Sequence, residues 1–174
     1  MKPLDGKMVY LSGPIEKDTS GIDWRPKVRE TLQTKYNINV FDPFIDPKQD
    51  KVKELNAAKE QQDFDEIARI AADFVSKDLT EVDRCHFLIA HLPPNTPTVG
   101  TIHEIINAIN RKIPTLIVCS GGKTSVSSWI YGILKNKHQW YIHGNWDSLF
   151  NYLDEVNENK HIGDNRWRYV YGII

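Results

Sequence analysis

Two carboxylates in this sequence stand where chemistry could be done. Glu104 closes the run Thr98-Val99-Gly100-Thr101-Ile102-His103-Glu104. Before it come an apolar run, His86 to Leu92, and a turn-rich link, Pro93-Pro94-Asn95-Thr96-Pro97. After it, Ile105, Ile106 and Ile109 recur with Ile102 at helical spacing. The pattern is strand, loop, helix, with an acidic residue expected in the first helical turn. In open α/β folds ligands gather outside the carboxyl ends of the strands, so Glu104 is expected to look into a ligand cleft. The same residues also spell a T-x-x-E capping box, Thr101 to Glu104, which satisfies free N–H groups at a helix start. A capping carboxylate complements the helix dipole and can still be reactive. Asp78 is the second carboxylate. It lies four residues after Phe74 and four before Val82, inside an apolar stripe, where an ionised group is costly unless it is hydrogen-bonded or opens onto a cleft. Its other reading is a margin position, or a cap at a break near Lys77. A third cluster, Ser125 to Ser128, falls near an expected helix start, where an anion or hydroxyl can bind or where Ser125 simply caps.

The elements that must position these groups follow from period and punctuation. Met8 to Leu11 is an apolar run stopped by Ser12-Gly13-Pro14, which reads as a strand and a turn. Trp24, Val28 and Leu32 mark a helix face, with Ser20 or Asp23 as its cap and Pro26 tolerable only in its first turn. Asn37 to Phe41 reads as a second strand stopped by Asp42-Pro43. Residues 45–53 read as a polar loop near the cleft. A long helix is expected from about Asp63 to Val82, its stripe formed by Phe64, Ile67, Ala71, Phe74, Val75, Leu79 and Val82. Pro114 to Cys119 is a fourth strand and Trp140 to Ile142 a fifth. Trp146, Leu149, Phe150 and Leu153 mark a last helix. Alternating strands and helices predict an α/β fold: a Rossmann/flavodoxin-like parallel five-stranded sheet sandwiched by helices, with one domain over residues 1–174. The aromatic tail from Arg166 to Ile174 is expected to be tied down, on its own domain or on a neighbouring subunit.

Composition narrows the function. The 174 residues suffice for one real core, and 40% hydrophobic with 26% charged residues is ordinary for a globular protein. A net charge of −1 gives no basic footprint for a nucleic acid polymer. No apolar run reaches membrane-spanning length, and the first residues lack a signal peptide's apolar core. Cys85 and Cys119 sit in or beside strand-like runs and read as buried thiols in a reducing, cytoplasmic setting. Neither has a partner at metal-ligand spacing, so no structural metal is expected. Gly122-Lys123-Thr124 looks like the end of a phosphate-binding P-loop, but the first glycine of that motif would fall at Ile117, which excludes it.

Taken together, Tyr10-Leu11-Ser12-Gly13-Pro14, Lys77-Asp78-Leu79-Thr80, Gly100-Thr101-Ile102-His103-Glu104 and Tyr171-Gly172-Ile173-Ile174 resemble the nucleoside 2-deoxyribosyltransferase family. Its superfamily also contains 2'-deoxynucleoside 5'-phosphate N-hydrolases. The resemblance implies that Glu104 is a nucleophile that attacks the anomeric carbon of a 2'-deoxyribosyl group and expels the base. A covalent sugar ester is then taken up by a second base, or by water. It further implies that Asp78 serves the leaving base as acid and that Tyr10 orients the glutamate. Ser12, Gly13, Pro14, Thr98, Gly100 and Ser127 are implied to line the substrate site. No cofactor is implied. The expected partners are a nucleoside or nucleotide, a free nucleobase, and further copies of the chain, in a homo-oligomer whose active sites are shared through Ser127. The expected role is nucleotide salvage.

The chain also departs from the transferases. Thr98 stands where they usually carry an aspartate, and Ser127 where they place an asparagine. Hydroxyl residues at both places are typical of the monophosphate hydrolases. Against that reading, Glu16 stands where similar hydrolases have a phosphate-binding arginine, so Arg25 or Lys17 would have to compensate. The closing tail resembles the transferases, whose C-terminus closes over the substrate. The resemblance therefore implies deoxyribosyl transfer first. Monophosphate hydrolysis and a non-catalytic nucleotide-binding module are the alternatives.

Overall fold

The computed structural model describes residues 2–15, 24–45, 49–96, 98–137 and 140–173. Five strands, β1 (Met8–Ser12), β2 (Asn39–Phe41), β3 (Phe87–Leu92), β4 (Thr115–Cys119) and β5 (Trp140–His143), form one parallel sheet in the order β2-β1-β3-β4-β5. The order reverses between β1 and β3, where Val9 pairs with Phe87 and Ser12 with Ala90. A reversal of that kind opens a crevice at the carboxyl ends of the two strands. The three central strands are almost wholly buried, as a parallel sheet covered on both faces requires.

The helices divide between the two faces. On one side α1 (Trp24–Tyr36) and α6 (Trp146–Asn157) pack Val28, Leu32, Leu149 and Leu153 onto Val9, Leu11 and Phe87. On the other, α3 (Phe64–Arg84), α4 (Val99–Asn110) and α5 (Ser128–Lys137) pack Val82, Ile105, Ile109 and Leu134 onto Tyr10, Leu88 and Ile117. Alternate residues of β1 therefore face different helices: Tyr10 turns to the α4 side and Leu11 to the α1 side. The fold class expected from the sequence is the one observed.

Three expectations need correction. Residues 45–53 are not one loop, because α2 (Gln49–Gln61) begins inside them. Among its described side chains that helix buries Leu55 and Ala58, too little apolar periodicity to announce itself in so polar a stretch. The ion pair between Lys51 and Asp73 (2.8 Å) shows it folding back on α3 as a hairpin. The long helix runs on to Arg84, so Asp78 lies in its body and not at its end. Its fully buried positions are Ile70 and Val82, while Phe64 and Val75 of the expected stripe are exposed. Ser20 and Asp23, expected to cap α1, and Glu16 and Lys17, which bear on phosphate binding, lie outside the described residues.

The tail is tied to its own domain. Trp167 is fully buried against Phe87 and donates its indole N–H to Tyr152 Oη (2.6 Å). The Tyr171 hydroxyl donates to the Val156 carbonyl at the end of α6 (3.1 Å). Nearby, Asn157 accepts from the Leu4 amide ahead of β1. The tail thus sits at the amino-terminal edge of the sheet, away from the β1/β3 crevice. Within one chain its described residues do not close over Glu104; of the two expected anchorages, own domain or neighbouring subunit, they take the first.

Candidate active site

Glu104 is not a capping residue. The N-cap of α4 is Thr98 and the first helical residue is Val99, so no acidic residue occupies the first turn. Glu104 is the sixth residue of the helix and lies about 8 Å down its axis at 1.5 Å per residue. That depth removes most of the helix-dipole benefit, which fades beyond the first turn. It brings Glu104 level with β1 instead. Thr101, Ile105, Ala108 and Ile109 form the buried stripe of α4. Glu104, three residues from Thr101 and four from Ala108, stands at the edge of that stripe.

Two hydroxyls of β1 meet it there. The Tyr10 hydroxyl donates to Glu104 Oε1 at 2.6 Å, and the Ser12 hydroxyl donates to Oε2. Tyr10 and Ser12 are two apart on one strand, so both face α4, and both are fully buried. Glu104 itself is half-buried. A carboxylate has about four acceptor positions. The two hydroxyls take one on each oxygen, which fixes the plane of the group and leaves lone pairs free. The Tyr10 ring is fixed in turn by stacking on Phe41, with centroids 5.4 Å apart.

The electrostatics are opposed. Burial raises the Glu104 pKa and the charge of Asp78 raises it further, while the hydroxyls of Ser12 and Tyr10 and the charge of Arg25 lower it. The balance lies above the ordinary carboxylate value. Tyr10 is driven up strongly, first by burial and then by the charge of Glu104, so it stays protonated and donates. Asp78 is half-buried on α3 and close enough for its charge to act on both groups.

The remaining sequence-derived residues fall into three groups. Gly13 and Pro14 follow Ser12 directly and are buried. A Cβ on Gly13 would meet Trp24 Cζ2 at 3.0 Å and Arg25 Nη2 at 3.3 Å, so this position is held to glycine by close approach. Thr98 and Gly100 frame the start of α4, where the Thr98 hydroxyl makes no capping bond and Gly100 is open to solvent. Ser127 is exposed just before α5, and its Oγ accepts from the Trp129 amide at 3.3 Å. It takes the capping role that the sequence suggested for Ser125, which lies in a short 3-10 turn instead.

Sequence reasoning took Arg25 only as a possible counter-charge to Glu16 and Asp42 only as a strand stop, and it missed their buried pairing. Arg25, 1% exposed, donates from Nη1 to Asp42 Oδ1 (2.8 Å) and to the Leu11 carbonyl (3.1 Å), and from Nη2 to the Gly13 carbonyl (3.0 Å). The signal that could have found the pair is an arginine beside the apolar stripe Trp24-Val28-Leu32, with an aspartate ending the adjacent strand.

Two clefts lie near the sheet's outer strands. One of about 490 Å³ is lined by Arg29, Val40, Phe41, Asp42 and Ile45, one aromatic ring away from Tyr10. A larger one, about 940 Å³, lies by β5 and α6 among Tyr141, His143 and Tyr152, on the face opposite to Glu104. Size alone would favour the larger, but the carboxylate with its two donors lies on the other side.

A model of the nucleoside 2-deoxyribosyltransferase family matches residues 9–164. The chain belongs to that family. No curated protein matches it in sequence. Among solved structures, the 2-deoxyribosyltransferase of Bacillus psychrosaccharolyticus is similar at TM-score 0.58 and 14% identity, covering 83% of this chain and 91% of that one. A conserved protein from Enterococcus faecalis gives 0.52 and 14%, covering 88% and 99%. A CMP N-glycosidase from Clostridium botulinum gives 0.47 and 17%, covering 85% and 98%. Membership makes this an enzyme of the nucleoside deoxyribosyltransferase-like kind, with small nucleosides or nucleotides as fitting substrates. No helix among the described residues is long and apolar enough to cross a membrane.

Proposed function

We propose that this deoxyribosyltransferase-family protein cleaves the N-glycosidic bond of a 2'-deoxynucleoside through Glu104 and passes the sugar to another base. The observation that supports it most is the double hold on the Glu104 carboxylate by Tyr10 and Ser12. Such a group is pre-oriented for attack, and positioning of this kind supplies much of an enzyme's rate. In the first step a Glu104 oxygen bonds to C1′ while the bond from C1′ to the base nitrogen breaks. The electron pair leaves with the base, which takes a proton from Asp78. In the second step a nitrogen of the incoming base attacks C1′, the ester bond returns its pair to Glu104, and the surplus proton goes to Asp78. Thr98, Gly100, Gly13 and Pro14 would line the sugar's approach.

A shared site in a homo-oligomer fits this reading. Val99 and Trp129, 83% and 77% exposed at the starts of α4 and α5, are large apolar groups that a second copy would cover. The buried thiols of Cys85 and Cys119 suit a reducing, cytoplasmic setting, and the reaction suits nucleotide salvage.

A second reading, hydrolysis of 2'-deoxynucleoside 5'-monophosphates, is favoured by the placement of the tail, which removes a transferase-like cover from the chain's own site. The free Thr98 hydroxyl and the Ser127 hydroxyl also suit it. One experiment separates the two. Each deoxynucleoside and its monophosphate is incubated with and without a second free base, and the products are resolved by chromatography. New nucleoside supports transfer; free base with deoxyribose 5-phosphate supports hydrolysis. Glu104→Gln must abolish either activity, and mass spectrometry of the quenched wild type should show one added deoxyribosyl group on the peptide carrying Glu104. Full activity in a folded Glu104→Gln variant would sink both readings.

A further inference from the structure

We propose that Arg25 is a positioning residue for Glu104: its guanidinium fastens the end of β1 so that Ser12 presents its hydroxyl to the carboxylate. The inference rests on the reading of Glu104 as the nucleophile.

The carbonyls that Arg25 holds belong to Leu11 and Gly13, the residues on either side of Ser12. Sheet pairing ends at Ser12, opposite Ala90. Beyond that point the backbone is held by the guanidinium fork, whose planar spread of donors suits several acceptors at once. The fork is itself anchored. Asp42 takes Arg25 on Oδ1 and Arg29 Nη1 on Oδ2 (3.3 Å), and Oδ1 also accepts the Phe44 amide (3.1 Å). The lack of space for a Cβ on Gly13 lets the backbone approach Arg25 closely. The chain of contacts runs from Asp42 through Arg25 to the Leu11 and Gly13 carbonyls that flank Ser12, and from the Ser12 hydroxyl to Glu104.

Stability alone is a poor reason for this arrangement. Arg25 Nε is buried with no hydrogen-bond partner, which costs free energy. A buried ion pair is weak support for a fold, since apolar replacements often do as well. What an apolar residue could not do is hold two carbonyls around Ser12 and set a positive charge near Glu104. The groups whose hydrogen bonds or charges act on Glu104 are Tyr10 and Ser12 from β1, Asp78 from α3 and Arg25 from α1. Among these, Arg25 carries the charge that opposes Asp78.

The test uses the whole chain. Wild type and Glu104→Gln are assayed first with deoxynucleoside and with monophosphate. An active wild type and a dead Glu104→Gln establish the nucleophile, and an active Glu104→Gln removes that reading whatever Arg25 does. Arg25→Lys, Arg25→Gln and Asp42→Asn are then compared for kcat, KM, pH profile and thermal midpoint. Arg25→Gln should lose about 10- to 100-fold in kcat, the scale of a small misplacement of a reacting group, with KM within about threefold. Its acid limb should move to higher pH, because the charge that favours ionised Glu104 is gone. Arg25→Lys should lose kcat but keep the limb in place, and Asp42→Asn should lose less kcat. A merely structural role would lower the midpoint and leave the pH profile and the kcat of folded enzyme unchanged, and that result overturns the proposal. So does a loss expressed only in KM. If neither Arg25 variant folds, Asp42→Asn decides: reduced kcat at unchanged KM supports the proposal, and wild-type kcat overturns it.

Discussion

Replacing Tyr10 by Phe tests the mechanism at its narrowest point. The substitution removes one oxygen and keeps the ring that stacks on Phe41, so packing changes little. What is lost is a 2.6 Å hydrogen bond to one oxygen of Glu104. Hydrogen bonds to charged groups contribute about 1.5–3 kcal/mol. If that bond orients the attacking carboxylate, kcat should fall about 10- to 150-fold, since 1.4 kcal/mol is about tenfold. The ionisation of Glu104 moves as well. Tyr10 is one of two hydroxyls that lower its pKa against burial, so its removal leaves the pKa higher. The protonated carboxyl cannot attack, so the acid limb of the kcat profile should shift to higher pH. The assay is release of free base across a pH series, with folded enzyme quantified by circular dichroism. Full kcat with an unmoved acid limb would refute the argument that the hydroxyl holds the nucleophile.

Other outcomes follow from the same geometry. Ser12→Ala should act like Tyr10→Phe at the other oxygen, and the double variant should lose less than the two losses combined, because both hydroxyls fix one carboxylate plane; strict additivity in kinetics would count against this. Glu104→Gln should melt higher than wild type near neutral pH. A carboxylate whose folded pKa is raised lends its full stability below its unfolded value, and that is lost as pH rises through the folded one, so the gap in midpoint should close in acid. His143 has the opposite sign. Burial and the charge of Lys123 lower it to about 4, so its contribution is present above pH 6.5 and lost as pH falls toward 4; His143→Phe should flatten the acid side of the midpoint curve. Gly13→Ala forces a methyl toward Trp24 and Arg25 and should cost about 1–3 kcal/mol, read as a midpoint lower by about 2–10 °C.

The sequence made the sheet legible because its strands are short apolar runs closed by Pro, Gly or Asp, and because parallel crossovers leave few topologies. It also made Glu104 legible as a residue near a strand's carboxyl end. The start of α4 was not legible. Val99 and Gly100 are exposed and follow a proline-rich link, so no apolar period marked them as helical, and the capping-box pattern put the N-cap at Thr101 instead of Thr98. That three-residue error made a carboxylate in the body of the helix look like a cap. The α2 helix was hidden by its polarity, and Arg25 by its own chemistry. An arginine is usually a surface residue, and only the fold shows the carbonyls that draw this one inside.

The true depth of Glu104 changes what the protein must do to use it. In the first turn, free N–H groups and the dipole would have kept the carboxylate ionised at little cost. In the second turn that help is gone, burial works against the charge, and Asp78 adds to the penalty. The compensation has to come from elsewhere, and the structure supplies it from β1 through Tyr10 and Ser12 and from α1 through Arg25. Donors on a buried strand are far more rigid than solvent, so they favour one orientation of the charged form. An incompletely compensated carboxylate also stays more basic than a capping one, which suits the attack on carbon proposed for Glu104. The raised pKa, the two strand hydroxyls and the buried guanidinium are therefore one arrangement. A variant that relieves the tension at Glu104 should gain stability and lose rate together.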